Sequence, residues 1–257
     1  MSPMRARTSR KAGMPPGTLV HVGEAKAAKV RITVIDYDES TIEEKELDSA
    51  DQCRAYKDKP TVTWINIDGV HDPAVIENIG RCYDLHPLMM EDILNTTQRP
   101  KAEDFESYVF MVVKMLYLRP GDGRADAEQV SVVLGESYVL TFQERPGDVF
   151  EIIRDRLRTG KGRIRKMGAD YLAYSIIDAV VDNYFLVLET LGDGVEELEE
   201  EVVGRPGKAT LGRIYALKRE LVFLRRSVWP LREVISGLER GESPLFRKPT
   251  LLYLRDV

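Results

Sequence analysis

"YLAYSIIDAVVDNYFLVLETL", residues 171–191, is the most apolar stretch of this 257-residue chain. A membrane-spanning helix needs about 20 apolar residues, so the length invites that reading. Asp178, Asp182, Asn183 and Glu189 argue against it. One aspartate near the centre of a span costs roughly 2.5–3.5 kcal/mol, and this stretch carries two. It reads as a helix buried against protein.

Outward from this stretch, apolar residues recur at Tyr174, Ile177, Val181, Tyr184, Leu188, Leu191, Val195, Leu198 and Val202. The steps alternate between three and four, which is a heptad seam. The sequence GRPGK at 204–208 breaks it. A second seam follows at Ile214, Leu217, Leu221, Leu224, Val228, Leu231, Ile235 and Leu238. Two seams of matched length around a tight turn predict an antiparallel helical hairpin over 170–240. Pro230 lies in the second helix, where the loss of one ladder bond predicts a kink. Residues 241–257 read as a linker that turns apolar again without a closing signal, so the natural protein is expected to continue past Val257.

Toward the N-terminus the period changes. TLVHV (18–22), VRITVIDYD (30–38), PTVTWINID (60–68), SYVFMVVKMLYL (107–118), EQVSVVLG (128–135) and SYVLTFQE (137–144) are β-branched or alternating runs and predict strands. A break at Gly121–Gly123 separates the first pair of the last three, and Gly135-Glu136 turns the second pair. Between the strands, Asp72-Pro73 opens a capped helix over 72–84 and His86-Pro87 a second over 87–95. Residues 148–169 are basic and helical in pattern. Strands with interspersed helices predict an α+β (or α/β) domain over 17–169. Residues 1–16 are basic, rich in Pro and Gly, and without an apolar core, which predicts a disordered tail and no secretory signal.

Composition narrows the function classes. A formal charge of −5 with dispersed Lys and Arg gives no nucleic-acid stripe. Cys53 and Cys82 are too few for a disulfide scaffold and read as reduced, structural thiols. His21, His71 and His86 are far apart, so a zinc site requires long-range convergence. Phosphate-loop, dinucleotide, nucleophile-elbow and zincin motifs are absent from the sequence, which makes an enzyme the least expected class.

The acids are the remaining signal. Glu91 and Asp92 are adjacent in a short apolar helix and point about 100° apart. They cannot clamp one ion as a pair, but they suit two neighbouring ions, or simply a solvated face. Asp178 and Asp182 are four apart on one helical face, where like charges repel. A cation, a basic partner or a structural salt bridge would each relieve them. EELEEE (196–201) reads as a solvated face or a cation attractor, with Lys218, Arg219, Arg225 and Arg226 opposite to neutralise part of it. A donor set of oxygens alone suits Mg²⁺.

Five blocks carry a family likeness. They are PPGTLVHVGE (15–24), HPLMMEDILNTTQRPKAEDFESYVFMVVKM (86–115), FQERPGDVF (142–150), ADYLAYSIIDAVVDNYF (169–185) and SVWPLREVIS (227–236). In this order they resemble the CorA family of magnesium channels and transporters. The resemblance implies a homopentamer at the cytoplasmic face of the plasma membrane. Each subunit would have a cytosolic αβα sandwich with a mixed central sheet, an acidic hairpin, a stalk helix and two membrane helices. The family's Gly-Met-Asn signature is absent from this sequence, so no pore residue is carried over and the chain matches the cytosolic part cut at the start of the stalk. The resemblance further implies regulatory Mg²⁺, with Co²⁺ as a possible surrogate. Asp92 would meet Asp256 of the neighbouring subunit, and Glu91 would meet Asp178 at a second site; no family role attaches to Asp182. A zinc-transporting relative on the same scaffold and a soluble coiled-coil docking module are the alternatives.

Overall fold

The computed structural model describes residues 13–119, 123–204, 206–241 and 243–257. Most of the expected N-terminal tail, and most of the break at 121–123, lie outside these residues.

Seven strands form one mixed sheet: β1 (Arg31–Tyr37), β2 (Ile42–Leu47), β3 (Val62–Asp68), β4 (Lys101–Asp104), β5 (Val109–Leu118), β6 (Ala125–Leu134) and β7 (Tyr138–Gln143). Their order is β2-β1-β3-β7-β6-β5-β4. Every pairing is antiparallel except β3 with β7, where Ile65 lies opposite Leu140. Alternate residues of a strand point to opposite faces, and here both faces are apolar. Trp64, Met111, Val113, Val132 and Val139 enter one core. Ile65, Ile67, Phe110, Val112 and Leu140 enter the other. A sheet buried on both sides must be covered on both sides.

The second core is covered by a 3-10 turn (Ala50–Tyr56), α1 (Pro73–Tyr83) and α2 (Pro87–Leu94). The first is covered by α3 (Glu151–Thr159), α4 (Ala169–Gly204), α5 (Lys208–Glu239) and α6 (Lys248–Leu254). The result is the αβα sandwich with a mixed sheet.

Two strands were not legible in the hydrophobic pattern. β2 reads IEEKEL and β4 reads KAED, and both lie at the sheet edges. Edge strands carry charge that blocks further pairing, which removes the apolar alternation that reveals a strand. In the other direction, TLVHV does not form a strand: Val22 alone bridges to Asn95. The basic helix expected over 148–169 stops at Thr159. Gly160 takes a left-handed φ of 64°, which closes the helix.

α4 has 36 residues, about 54 Å of helix. It alone among the described helices has the length and hydropathy of a span, and 56% of that window is buried inside the protein. Its first half packs against the sheet, with Tyr184 donating to the Lys114 carbonyl and Asn183 to that of Leu116. Its second half leaves the sheet beside α5. There the seam is only partly buried: Leu191, Leu198, Leu224 and Leu231 are covered, whereas Leu188, Val202, Ile214 and Leu221 are exposed. α5 runs on through Pro230 as one helix. In the acidic run at the hairpin tip, Glu197 and Glu201 pair with Arg213, at 3.1 and 2.7 Å. Arg213 takes the place of the four basic residues expected from the sequence, because it faces the run across the turn.

Candidate functional site

α2 begins at His86, whose Nδ1 accepts from the Leu88 N–H at 3.2 Å, with Pro87 as first helical residue. Met89, Met90, Ile93 and Leu94 are buried. They form two pairs four residues apart, so one side of this short helix lies on the sheet. That leaves Glu91 and Asp92 half-buried at its flanks, diverging as their spacing requires.

Each acid ties down a different segment. Glu91 Oε2 accepts from the Gly17 N–H at 2.7 Å. The N-terminal strap continues along α2, with the Val22 N–H donating to Leu94 O at 2.9 Å and the Thr96 N–H to Val22 O at 3.1 Å. Asp92 holds the loop that follows the helix. Gln98 Nε2 donates to its Oδ1 at 2.5 Å, and Lys101 Nζ lies 2.5 Å from its Oδ2. On the helix side, Gln129 Nε2 donates to the Asp92 carbonyl at 3.2 Å. The Lys101 ammonium is thus the cation that Asp92 pairs with inside this chain.

The second group of carboxylates lies across the sheet, on α4 and just past the end of α6. Asp170, at the start of α4, is buried and accepts from Thr250 Oγ1 at 2.5 Å and from the Arg247 N–H at 3.1 Å. These bonds fix the start of α6 against α4. Tyr253 then packs on Tyr171 and Tyr174, with ring centroids 5.2 and 5.5 Å away. The result sets Asp256, one turn further on, within electrostatic reach of Asp178. Burial pushes the Asp178 carboxyl above its ordinary range, and the charges of Asp182 and Asp256 add to the shift. The Tyr174 hydroxyl, donating to Asp178, and Arg156 oppose it. A crowded, incompletely neutralised set of oxygens is chemistry that a hard divalent cation relieves.

The five acids singled out in the sequence therefore fall into two groups. Asp178 lies within electrostatic reach of Asp256 and of the exposed Asp182. Glu91 and Asp92 belong to the opposite face of the sheet. Among the described residues no group of three His, Cys, Asp or Glu side chains within the chain is arranged to hold a metal. The donor types fit Mg²⁺; a complete shell needs oxygens from elsewhere, whether water or another chain. Cys53 and Cys82 are buried free thiols, and burial raises Cys53 to about 12, so it is inert.

Sequence reasoning missed Gln98, Lys101, Asp170 and Tyr174. The first two reach Asp92 only because the chain reverses after α2. Asp170 finds Thr250 only across 80 residues of sequence.

A model of the family "CorA-like Mg2+ transporter protein" matches residues 59–257. The chain belongs to this family. Over 251 residues it is 47% identical to the cobalt/magnesium transport protein CorA of Thermotoga maritima, covering 98% of this chain and 71% of that protein. A putative metal ion transporter of Bacillus subtilis is 26% identical over 78% of this chain, which spans 61% of that relative's length. The fold agrees with the soluble domain of CorA from Methanocaldococcus jannaschii, with TM-score 0.68, 18% identity, and coverage of 88% of this chain and 85% of that one. The cytoplasmic domain of ZntB from Vibrio parahaemolyticus matches similarly, with TM-score 0.67, 16% identity, and coverage of 88% and 87%. The family is one of transporters and not of enzymes, and its soluble-domain architecture is the sandwich and hairpin described above.

Proposed function

We propose that this chain is the cytosolic, Mg²⁺-sensing part of a CorA-type divalent-cation channel, working as a homopentamer at the cytoplasmic face of the plasma membrane. Membrane contact would be made only through segments beyond this sequence. The observation that carries the reading is the division of the acids between opposite faces of one sheet. A subunit presents Glu91 and Asp92 on one side and Asp178 and Asp256 on the other, so neighbours in a ring can complete each other's sites. Asp92 would meet Asp256 of the neighbouring subunit, and Glu91 would meet Asp178. Mg²⁺ is the regulatory ligand, with Co²⁺ as a surrogate.

Regulation is then linkage. A cation held between subunits binds better to the closed, symmetric ring, and its binding shifts the population toward that state. When the cation is scarce, facing carboxylates repel and the subunits separate. The likeness to the ZntB cytoplasmic domain shows that one fold serves differently named relatives. The oxygen-only donor set favours Mg²⁺ over zinc, which prefers His and Cys.

The test is limited proteolysis of the complete membrane protein across a Mg²⁺ titration. The wild type gains protection as Mg²⁺ rises, and Asp92→Ala loses most of that gain. Equal protection in both proteins would refute the assignment.

A further inference from the structure

We propose that Lys101 is a built-in competitor for the cation at Asp92, with Glu103 as its alternative resting place. The inference rests on the reading of Asp92 as a cation ligand. Lys101 Nζ lies 2.5 Å from Asp92 Oδ2 and 2.6 Å from Glu103 Oε1. A divalent ion cannot take that Asp92 oxygen while an ammonium group touches it. Binding at Oδ2 therefore includes displacement of Lys101.

The strand geometry makes the displacement feasible. Lys101 and Glu103 are two apart in β4, so their side chains leave the same face of the strand. Lys101 can give up Asp92 and remain paired with Glu103. The Asp92 and Lys101 side chains are 22% and 28% exposed, so solvent weakens their pairing without abolishing it, and an ion can reach it. Glu103 is 44% exposed and holds the lysine less exclusively.

Charge makes the device selective. A monovalent ion offers Asp92 no more charge than the ammonium already there, whereas a divalent ion offers twice as much. Lys101 thus sets a threshold concentration below which the site stays closed to the metal, and it discriminates against Na⁺ and K⁺.

The experiment is the same Mg²⁺ protection assay on the complete protein, read as the Mg²⁺ concentration of half-protection. Lys101→Met should lower it about three- to tenfold, the weight of a partly exposed ion pair. Glu103→Gln, which confines Lys101 to Asp92, should raise it. Arg99→Met is the control for charge at a distance, because Arg99 is exposed on the same loop; it should shift the midpoint less than about twofold. If Lys101→Met does not fold, the exposed Glu103 position carries the test alone. Suppose Asp92→Ala abolishes the Mg²⁺ response while Lys101→Met leaves the midpoint unchanged, or Arg99→Met moves it as far. Then the competitor role is overturned and the metal site stands. An Asp92→Ala protein with a wild-type response overturns both.

Discussion

Asp170 and Thr250 form the contact that places Asp256 near Asp178, and its strength can be measured. Both residues are buried, at 3% and 0% exposure. Asp170→Ala leaves the Thr250 hydroxyl and the Arg247 N–H without their acceptor. An unsatisfied buried donor costs about 1–3 kcal/mol and the part-buried Arg247 N–H less, so the two together should cost about 2–4 kcal/mol. A further loss has another origin. Asp170 sits in the first turn of α4, where an acid interacts favourably with the helix dipole by about 0.3–1 kcal/mol. Thr250→Val leaves this dipole interaction intact and removes one hydrogen bond, for a loss of about 1–2 kcal/mol. The double variant separates the two effects. The pair should show a coupling energy of about 1–3 kcal/mol, measured by urea unfolding with linear extrapolation. Hydrogen exchange supplies an independent readout: amides of 248–254 should lose protection in Asp170→Ala, while those of β3 and β7 keep theirs. A coupling below about 0.5 kcal/mol, the level at which independent sites add, would refute the clamp. So would unchanged exchange in α6.

Further outcomes follow from the same structure. Asp178 has a raised carboxyl, so the folded chain holds its proton to higher pH than the unfolded chain does. Its contribution is neutral below about pH 3.8 and turns against folding as pH rises through the folded value. Asp178→Asn in Mg²⁺-free buffer should therefore be stabilising at pH 7, with the advantage vanishing below about pH 4; an advantage that grows on acidification contradicts the assignment. Two glycines should differ in their tolerance of alanine. A methyl group on Gly135 would collide with the ring of Tyr138, which packs on Tyr83 at 4.6 Å. One on Gly80 meets only the flexible thioether of Met90. Thermal melts should show Gly135→Ala losing about 1–3 kcal/mol and Gly80→Ala clearly less. Equal losses would mean the Tyr138 ring yields as freely as Met90.

Much of the architecture follows from periodicity. β1, β3, β5, β6 and β7 carry apolar side chains on one or both faces, and burial of those faces demands a sheet whatever its neighbours are. α4 and α5 announce themselves by steps of three and four, and the aspartates within α4 separate a protein-buried helix from a span. The caps at Asp72 and His86, each followed by proline, fix where α1 and α2 begin. These are local rules, satisfied within a few residues of chain. β2 and β4 escaped because an edge strand is charged for a reason outside itself: what it must not pair with. TLVHV has the composition of a strand, yet only its Val22 makes a bridge, to Asn95, and it serves as a strap over α2.

The site divides in the same way. That Glu91 and Asp92 point apart, and that Asp178 and Asp182 share a face, is helix geometry and is present in the sequence. That Asp92 holds Lys101, that Asp170 holds Thr250, and that the two carboxylate clusters lie on opposite sides of one sheet depend on chain reversals and long-range packing. A side chain's type limits what it can bind. Its partner is chosen by which distant segment the folded core brings within about 3 Å of it, and no local pattern encodes that distance.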